Sequence, residues 1–373
     1  APMTGTPPGR QTFAVIDTAA LRANFGVVRA RVAADVAILA VVKANAYGHG
    51  ASIVAPVLAA AGADAFGVAT IGEAAELRSA GIHQPILVLT PIHARDVVPA
   101  VRQRITVAVT DAEQARGLAA AAAPHRVRVH LKVDTGMGRL GSTVAELPEL
   151  IAAIRSAGNL DVDGVFSHFG NADDVFTPHC DTQLAAFEEA LAIVARAGFE
   201  PRWVHLANSA AALARPDAHF NLVRPGIALY GIAPACTDAP ELRPVMRLVT
   251  HVAQVRAFPA ATPVSYGQTF VTERPSRIAV LPIGYADGYS RALSNRAEVL
   301  VRGRRARVVG NVCMDLTMVD VTDVPNVAAG DEVVLFGAQD GATLGVDEVG
   351  AWQDSIGYEV LNRVGKRVPR LVA

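Results

Sequence analysis

The sequence predicts an α/β protein with an N-terminal (β/α)₈ TIM-type barrel and a C-terminal, mainly β domain. Three observations support this prediction. Eight short apolar runs alternate with alanine-rich helical stretches, a loop-rich segment follows them, and the rest of the chain has the pattern of strands. A doubly wound open sheet is the alternative for the first part, because it shows the same alternation.

The eight runs are almost continuously apolar, which is typical of strands buried on both faces of a parallel sheet. They lie at 36–42, 65–70, 85–90, 105–110, 127–134, 161–168, 202–207 and 220–224. A further strand is predicted at 11–17, where it fits either domain.

Helices are predicted between the strands from side-chain periodicity and from signals at the helix ends. Apolar side chains in 183–197 recur at steps of three and four residues and so share one face. Gly81 and Gly158 are stop signals for helices predicted at 71–80 and 144–157. Each helix lies between two predicted strands, as a barrel requires.

Residues 233–244 are rich in proline and loop formers, and they predict a linker. We therefore predict a barrel domain over 1–241 and a β domain over 242–373. The second domain is predicted to contain a hairpin over 298–310 that turns at Gly303-Arg304, and strands at 315–321 and 331–337.

Composition excludes several classes of protein. The 34 basic and 35 acidic residues give a net charge of −1, so nothing indicates nucleic-acid binding. The longest uncharged stretch, 44–63, contains polar residues and Pro56 and does not predict a membrane span. The three cysteines are widely spaced, and no signal peptide is recognised. We expect a cytoplasmic protein without disulfides, without a metal site and without a membrane partner.

Candidate site residues follow the C-terminal ends of the predicted strands, where barrels place their active sites. They are Lys43 after the first run, Arg139 after the fifth, His168 at the end of the sixth, Asn208 and Ser209 after the seventh, and Arg224 and Gly226 after the eighth. The last two loops frequently bind phosphate in this fold. The pattern predicts a phosphorylated ligand beside a lysine and two arginines.

Each of these residues alone has an ordinary explanation. A lone lysine after a strand is usually a solvated charge, and a lone arginine is usually an ion-pair partner. Lys43 differs because it ends the most apolar strand, where a desolvated amine is most readily neutral and nucleophilic.

Several longer motifs resemble those of the alanine racemases, which use pyridoxal phosphate (PLP). They are AVVKANAYGHG (40–50), KVDTGMGRLG (132–141), SHF (167–169), HLANSAA (205–211), RPGIALYG (224–231), LPIGYADGY (281–289), GNVCMD (310–315) and IGYEV (356–360). They occur in order and span nearly the whole chain. The resemblance implies the barrel and β domain, a PLP cofactor and a homodimer whose sites are completed by the partner subunit.

The resemblance implies a role for each matching residue around the cofactor. Lys43 forms the Schiff base with PLP, and Arg224 faces the pyridine nitrogen. The phosphate is held by Tyr47, Ser209, Gly226, Ile227 and Tyr358. Asn208 and His168 are cofactor-binding residues, and His168 also belongs, with His205, to the polar network behind the site. The resemblance also implies roles towards the substrate. Arg139 binds the carboxylate, Met314 and Asp315 line the pocket from the partner subunit, and Lys132 matches a position that is carbamylated in many members.

The implied reaction is the interconversion of L- and D-alanine, which supplies D-alanine for peptidoglycan. Racemisation needs two bases on opposite faces of Cα. The resemblance implies that these bases are Lys43 and a Tyr285 contributed by the partner subunit. Without the resemblance, Tyr285 is simply a hairpin aromatic. The alternatives are a PLP-dependent decarboxylase, a non-catalytic PLP-binding protein and an exported broad-specificity racemase. LPIGYADGY and GNVCMD favour the alanine racemase over the decarboxylase.

Overall fold

The computed structural model describes residues 11–171 and 174–373. They form two compact units. The barrel unit consists of Ala20–Ala46 and the described residues of Ala51–Arg243, and the β unit consists of the described residues before Ala20, Tyr47–Gly50 and Pro244–Ala373. The domain bounds 1–241 and 242–373 stay a prediction.

Twenty strands are assigned in the described part of the chain. In chain order they are β1 (Phe13–Ile16), β2 (Ala37–Val41), β3 (Ala65–Val68), β4 (Ile86–Val88), β5 (Ile105–Val109), β6 (Val127–Lys132), β7 (Leu160–Phe166), β8 (Trp203–His205), β9 (Leu222–Val223), β10 (Met246–His251), β11 (Gln254–Phe258), β12 (Pro263–Val264), β13 (Phe270–Val271), β14 (Ser276–Leu281), β15 (Glu298–Val301), β16 (Arg304–Val308), β17 (Thr317–Asp320), β18 (Glu332–Gln339), β19 (Ala342–Leu344) and β20 (Arg370–Val372).

The right-handed α-helices alternate with the barrel strands and recur near the C-terminus. They are α1 (Thr18–Arg31), α2 (Ala51–Ala61), α3 (Ile71–Ser79), α4 (Val97–Arg102), α5 (Ala112–Ala122), α6 (Leu147–Ala157), α7 (Pro178–Arg196), α8 (Ser209–Ala214), α9 (Val346–Trp352) and α10 (Gly357–Arg363). Short 3₁₀ segments lie at Ala94–Asp96, Pro216–Ala218, Ile227–Tyr230, Tyr266–Gln268, Tyr285–Asp287 and Arg291–Leu293.

The barrel unit is an eight-stranded parallel sheet with the order β8-β7-β6-β5-β4-β3-β2-β9. The two end strands are joined by backbone hydrogen bonds, from Asn221 N to Val204 O (3.3 Å) and from Arg224 N to Ala207 O (2.9 Å). These bonds close the ring, so the predicted barrel is confirmed and the open-sheet alternative is wrong.

Two helix starts differ from the sequence prediction for local reasons. α7 begins earlier than predicted because Thr177 caps it and Pro178 occupies its first turn, where proline is well tolerated. α6 begins later than predicted because a turn closed by hydrogen bonds from Thr143 to the Glu146 carboxylate precedes it. The predicted stop at Gly158 is confirmed, since this residue has the left-handed φ of 71°.

The β unit is built on a ten-stranded sheet with the order β11-β14-β17-β16-β15-β18-β10-β1-β20, and β19 pairs with β18. β1 pairs antiparallel with β10 and parallel with β20, so the strand predicted at 11–17 joins this sheet. The predicted hairpin is present, but Arg302 and Gly303 form its turn, because Arg304 already pairs with Val301. Among the described residues, no helix has both the length and the apolarity needed to cross a membrane.

Candidate active site

Lys43 follows β2 and opens a left-handed turn. Residues 44–46 have φ of 52–54° and ψ of 47–53°, and Tyr47 continues with φ of 52°. For L-residues this conformation costs about 1–2 kcal/mol per residue. Strain of this size is usually retained only at functional sites.

Side chains from the barrel unit hold the turn in place. Glu73 accepts hydrogen bonds from the backbone N–H groups of Ala44 (2.7 Å) and Ala69 (2.7 Å), and it also completes the capping box of α3 with Thr70. Asn45 accepts a hydrogen bond from Ala51 N (2.8 Å) at the start of α2. The residue after Lys43 is therefore tied directly to the barrel helices.

Positive charge is concentrated around Lys43. Burial lowers the pKa of the Lys43 amine, Arg139 and Arg224 lower it further, and Glu73 opposes them. Burial lowers the pKa of Arg224 to about 9. A half-buried amine with a lowered pKa is suited to attack a carbonyl carbon, and the uncompensated cations around it favour an anionic ligand.

Lys132 lies in the same barrel layer as Phe166 and His205. The register pairs Lys132 with Phe166 and Phe166 with His205 on successive strands. The Lys132 Nζ lies 4.5 Å from the centre of the Phe166 ring. The His205 ring stacks on the Phe166 ring, with 4.9 Å between the two centroids. Arg224 also lies near this ring, with Cζ 5.6 Å from its centre. Phe166 was not predicted as a site residue.

The guanidinium of Arg224 is held by neutral acceptors. It donates to His205 Nδ1 (2.8 Å), to His168 Nδ1 (3.1 Å) and to the backbone carbonyls of Ser167 (2.8 Å) and Leu206 (3.1 Å). No carboxylate of the described residues lies within 4 Å of it. Burial, followed by the charge of Arg224, lowers the pKa of His168 and His205 well below the usual value, so both rings are neutral acceptors.

The predicted phosphate loops meet at Ser209. Its Oγ accepts hydrogen bonds from Gly226 N (2.8 Å) and Ala228 N (3.3 Å), which join the loops after β8 and β9. Asn208 caps α8 by accepting from Ala211 N (3.0 Å). Because the Ser209 oxygen already accepts two hydrogens, its own hydrogen is the one left to donate to an anion. Ile227 starts the following 3₁₀ segment and lies between Gly226 and Ala228, the two donors to Ser209.

Replacement of Ser209 by alanine is expected to destabilise the protein as well as weaken anion binding. It leaves two buried N–H groups without an acceptor, and the expected loss is about 1–3 kcal/mol in the free energy of unfolding. Urea unfolding measures it. Ser79→Ala, which removes an exposed hydroxyl bonded to Ala75 O, is the control. An equal loss in both variants contradicts the expectation.

Arg139 is carried by a loop that Asp134 organises. Asp134 Oδ1 accepts hydrogen bonds from the backbone N–H groups of Gly136 (2.9 Å), Met137 (2.9 Å) and Gly138 (3.2 Å). Burial raises the pKa of Asp134, but these N–H groups hold it below the ordinary value, so the carboxylate stays charged. The exposed Arg139 side chain extends from this fixed loop.

In the β unit, the structure brings Tyr47 and Tyr358 together. Their rings lie 6.5 Å apart between centroids at 56°. Burial raises the pKa of Tyr47, and the neighbouring Tyr358 raises it further, so the Tyr47 phenol is a hydrogen-bond donor at neutral pH. Two phenols side by side can donate to a phosphate.

Tyr285 and Met314 lie on two loops of the β unit that are joined through their backbones. Tyr285 N donates to Cys313 O (3.0 Å) and Ala286 N donates to Met314 O (3.0 Å). A Cβ at Gly284 would lie 2.2 Å from Cys313 O, so only glycine allows this approach. The side chains of Tyr285 and Met314 are 44% and 53% exposed.

Asp315 lies on the same loop and is held by Arg367. The Arg367 guanidinium contacts Asp315 (2.5 Å) and the buried Asp287 (3.0 Å). Asp287 in turn accepts a hydrogen bond from Gly284 N (3.0 Å). The three predicted residues Tyr285, Met314 and Asp315 therefore form one surface of the β unit.

Tyr266 is a further exposed phenol beside this surface that was not predicted. Its side chain is 75% exposed. Asn311 Nδ2 donates to Tyr266 O (2.7 Å), and Ser265 Oγ donates to Asn311 O (2.6 Å). Ser265 and Gln268 have φ of 68° and 52°, which is strained for residues other than glycine. Tyr285 was predicted from the family resemblance alone, and Tyr266 lies outside the motifs that carry that resemblance.

These features define a class of protein. A lysine that follows a buried strand and has a lowered pKa, a serine hydroxyl held between the last two barrel loops and a donor-only arginine are suited to a phosphorylated aldehyde cofactor carried on the lysine. The class is a lysine-linked, cofactor-dependent barrel enzyme.

Comparisons with known proteins specify the family. The models "Alanine racemase, N-terminal domain" and "Alanine racemase, C-terminal domain" match residues 16–234 and 245–372. The chain is 44% identical to an alanine racemase of Geobacter sulfurreducens over 370 residues, 97% of each protein. The chain belongs to the alanine racemase family.

Solved structures agree with this assignment. An alanine racemase from Streptomyces lavendulae is 40% identical with a TM-score of 0.92, covering 99% of this chain and 98% of that one. An alanine racemase from Bartonella henselae with covalently bound pyridoxal phosphate is 33% identical with a TM-score of 0.89, covering 98% of this chain and 100% of that one. Family membership favours the racemase over the three alternatives considered from the sequence.

Proposed function

We propose that this chain interconverts L-alanine and D-alanine with PLP bound to Lys43, and so supplies D-alanine for peptidoglycan in the cytoplasm. The observation that carries the proposal is the position of Lys43, a desolvated amine among arginines at the open end of the barrel. Bound PLP supplies an aldehyde for the amino group and an electron-withdrawing ring that makes the α-proton removable.

The residues divide the binding task by chemistry. The Ser209 hydroxyl and the N–H group of Ile227 are available to a phosphate, and Gly226 holds the Ser209 oxygen in place. The family resemblance assigns Tyr47 and Tyr358 to the same phosphate. Arg224 faces the pyridine nitrogen. Since a guanidinium only donates hydrogen bonds, that nitrogen stays unprotonated. Arg139 binds the substrate carboxylate.

Racemisation needs one base on each face of Cα. Lys43 serves the face that carries the proton of D-alanine. A phenol from the β unit of a partner subunit serves the other face. Tyr285 is the residue that the sequence resemblance implies, and Tyr266 is a second candidate, favoured by its greater exposure and its strained loop.

A homodimer is proposed on the same grounds. The β unit exposes large apolar side chains next to the predicted substrate residues, including Tyr266, Tyr285, Met314 and Leu316. Exposed apolar groups in one region are typical of interaction surfaces. A second copy that supplies Met314 and Asp315 to the substrate pocket accounts for their exposure.

The function is tested by following each enantiomer of alanine in D₂O with the holoenzyme. The expected products are the opposite enantiomer with one deuterium at Cα. Ethylamine in place of that enantiomer indicates the decarboxylase, and unchanged substrate overturns the proposal.

Lys132 is proposed to be carbamylated. Burial lowers the pKa of its amine well below the ordinary value, and Arg224 and Arg139 lower it further, so the amine is neutral once the pH exceeds that lowered value. The neutral amine adds to CO₂ and releases one proton. The resulting anion is a partner for Arg139 and fixes its side chain.

The carbamate is detected by NMR after exchange with ¹³C-bicarbonate. The parent and Lys366→Met, which changes an exposed lysine, are expected to show one carbamate carbon, and Lys132→Met none. A signal that persists in Lys132→Met contradicts the assignment.

A further inference from the structure

A buried row of polar groups leads from Arg224 to β6 and β7. Arg224 donates to His205 Nδ1 at 2.8 Å, and His205 Nε2 lies 2.9 Å from His130 Nδ1. The remaining nitrogen, His130 Nε2, lies 3.7 Å from Asp163 Oδ2. His130 and Asp163 were not predicted as site residues.

The donor at one end fixes the proton positions along the whole row. A guanidinium cannot accept, so His205 Nδ1 is the acceptor and the proton of neutral His205 is on Nε2. That proton is donated to His130 Nδ1, which leaves the proton of His130 on Nε2, facing Asp163. Burial lowers the pKa of both imidazoles, which keeps each ring neutral, and the hydrogen bonds of the row select the tautomer.

Asp163 is a charged acceptor at the end of this row. The facing N–H of His130 is the main reason that the pKa of Asp163 lies below its ordinary value, and Arg128 and Arg202 add to the effect. Its side chain is 25% exposed, so it is partly accessible to water. A charged carboxylate polarises the imidazole that donates to it and makes the other ring nitrogen a better acceptor.

The backbone is arranged to allow this contact. The register pairs Val129 with Val162 but His130 with Gly164, so Asp163 is an extra residue in β7 with no partner on β6. Bulges of this kind redirect side chains beside active sites. A Cβ at Gly164 would lie 2.6 Å from the His130 ring, so the absence of a side chain there makes room for the imidazole.

We propose that Asp163 is a positioning residue for the reaction: through His130 and His205 it orients and anchors the guanidinium of Arg224. The inference rests on the proposed place of Arg224 at the cofactor ring. Arg224 donates only to neutral acceptors, and the row through His205 and His130 connects it to the Asp163 carboxylate. Because two neutral rings separate this carboxylate from Arg224, the guanidinium is held in place without a direct ion pair and keeps its positive charge.

The test compares Asp163→Asn with Asp161→Asn in the holoenzyme. Both aspartates lie on β7, but Asp161 is paired with Arg126 at the surface and makes no contact with His130. Three quantities are measured: ¹⁵N–¹H spectra of the histidine rings, the absorbance spectrum of the bound cofactor, and kcat with KM. The His130 resonances are assigned with His130→Gln.

In Asp163→Asn we expect His130 to lose its single Nε2–H signature, the cofactor absorbance to shift, and kcat to fall about tenfold, as for outer-shell partners of other sites. Asp161→Asn is expected to match the parent in all three. Asp163→Glu is expected to restore part of kcat. Three results overturn the proposal. In Asp163→Asn, they are a histidine ring spectrum like that of the parent, or a changed ring spectrum with the kcat of the parent. The third is an effect of equal size in Asp161→Asn. If the parent protein itself does not racemise alanine, the proposed function fails, whereas the ring spectra still test the row from Arg224 to Asp163.

Discussion

Lys43→Ala is expected to abolish racemisation from both enantiomers, with a fall of at least about 10³-fold in kcat, because one residue supplies both the cofactor linkage and a base. The loss is the same in both directions, since neither the attachment nor the proton transfer on that face has a replacement. Chiral chromatography of the alanine formed from each enantiomer measures it.

The lysine content of the chain makes this test sharp. Lys43, Lys132 and Lys366 are the three lysines in the sequence. Borohydride reduction of the holoenzyme is expected to fix the cofactor on the peptide that contains Lys43, and Lys366→Ala is the matched control with parent activity. An adduct on another peptide, or racemisation by Lys43→Ala near the parent rate, contradicts the assignment.

The pH dependence follows from the lowered pKa of the Lys43 amine. The free amine is a base only when unprotonated, so a pKa below 10.5 extends its basic form to lower pH. Activity is therefore expected to rise as the pH increases through this lowered pKa.

The barrel could be predicted because each strand and helix carries its own local pattern. The runs at 105–110 and 65–70 are almost continuously apolar, and the structure has strands Ile105–Val109 and Ala65–Val68 there, with every residue buried. Lys43 could be predicted because active sites of barrels lie at the C-terminal ends of the strands, and the end of its strand is visible in the sequence.

The row behind Arg224 could not be predicted because it depends on register between strands. Phe166 faces Lys132 and His205 only once β6, β7 and β8 are paired, and the bulge at Asp163 has no local signal. One clue was present: VRVHLKVD places polar residues at alternate positions in a strand expected to be wholly buried. Alternation of this kind indicates side chains directed to one face, which here includes His130 and Lys132.

The parallel pairing of β1 with β20 was also beyond the sequence patterns. The two strands lie at opposite ends of the chain, with Ala14 paired with Arg370. Either domain could bury the apolar run at 11–17. Its place in the β unit follows from its pairing with β10, which only the structure shows.

Two tyrosines, Tyr266 and Tyr285, are candidates for the second base. Removal of one hydroxyl at a time tests each candidate separately. Tyr266→Phe is expected to reduce racemisation by about 10²–10⁴-fold, the range for loss of a general base. Tyr285→Phe is expected to have a smaller effect, because strained non-glycine residues, Ser265 and Gln268, flank Tyr266 but none flanks Tyr285. The Tyr285 side chain is also less exposed, 44% against 75%. Both variants keep the aromatic ring and its packing.

Isotope exchange shows which face each variant has lost. In D₂O, a variant without the second base still exchanges the α-proton of D-alanine through Lys43, and it returns D-alanine without inversion. This behaviour in Tyr266→Phe, with racemisation retained in Tyr285→Phe, assigns the base to Tyr266. The reverse result assigns it to Tyr285, as the sequence resemblance implies. Parent rates in both single variants contradict a two-base reaction with either phenol, because the proton on the second face must then reach Cα from another donor.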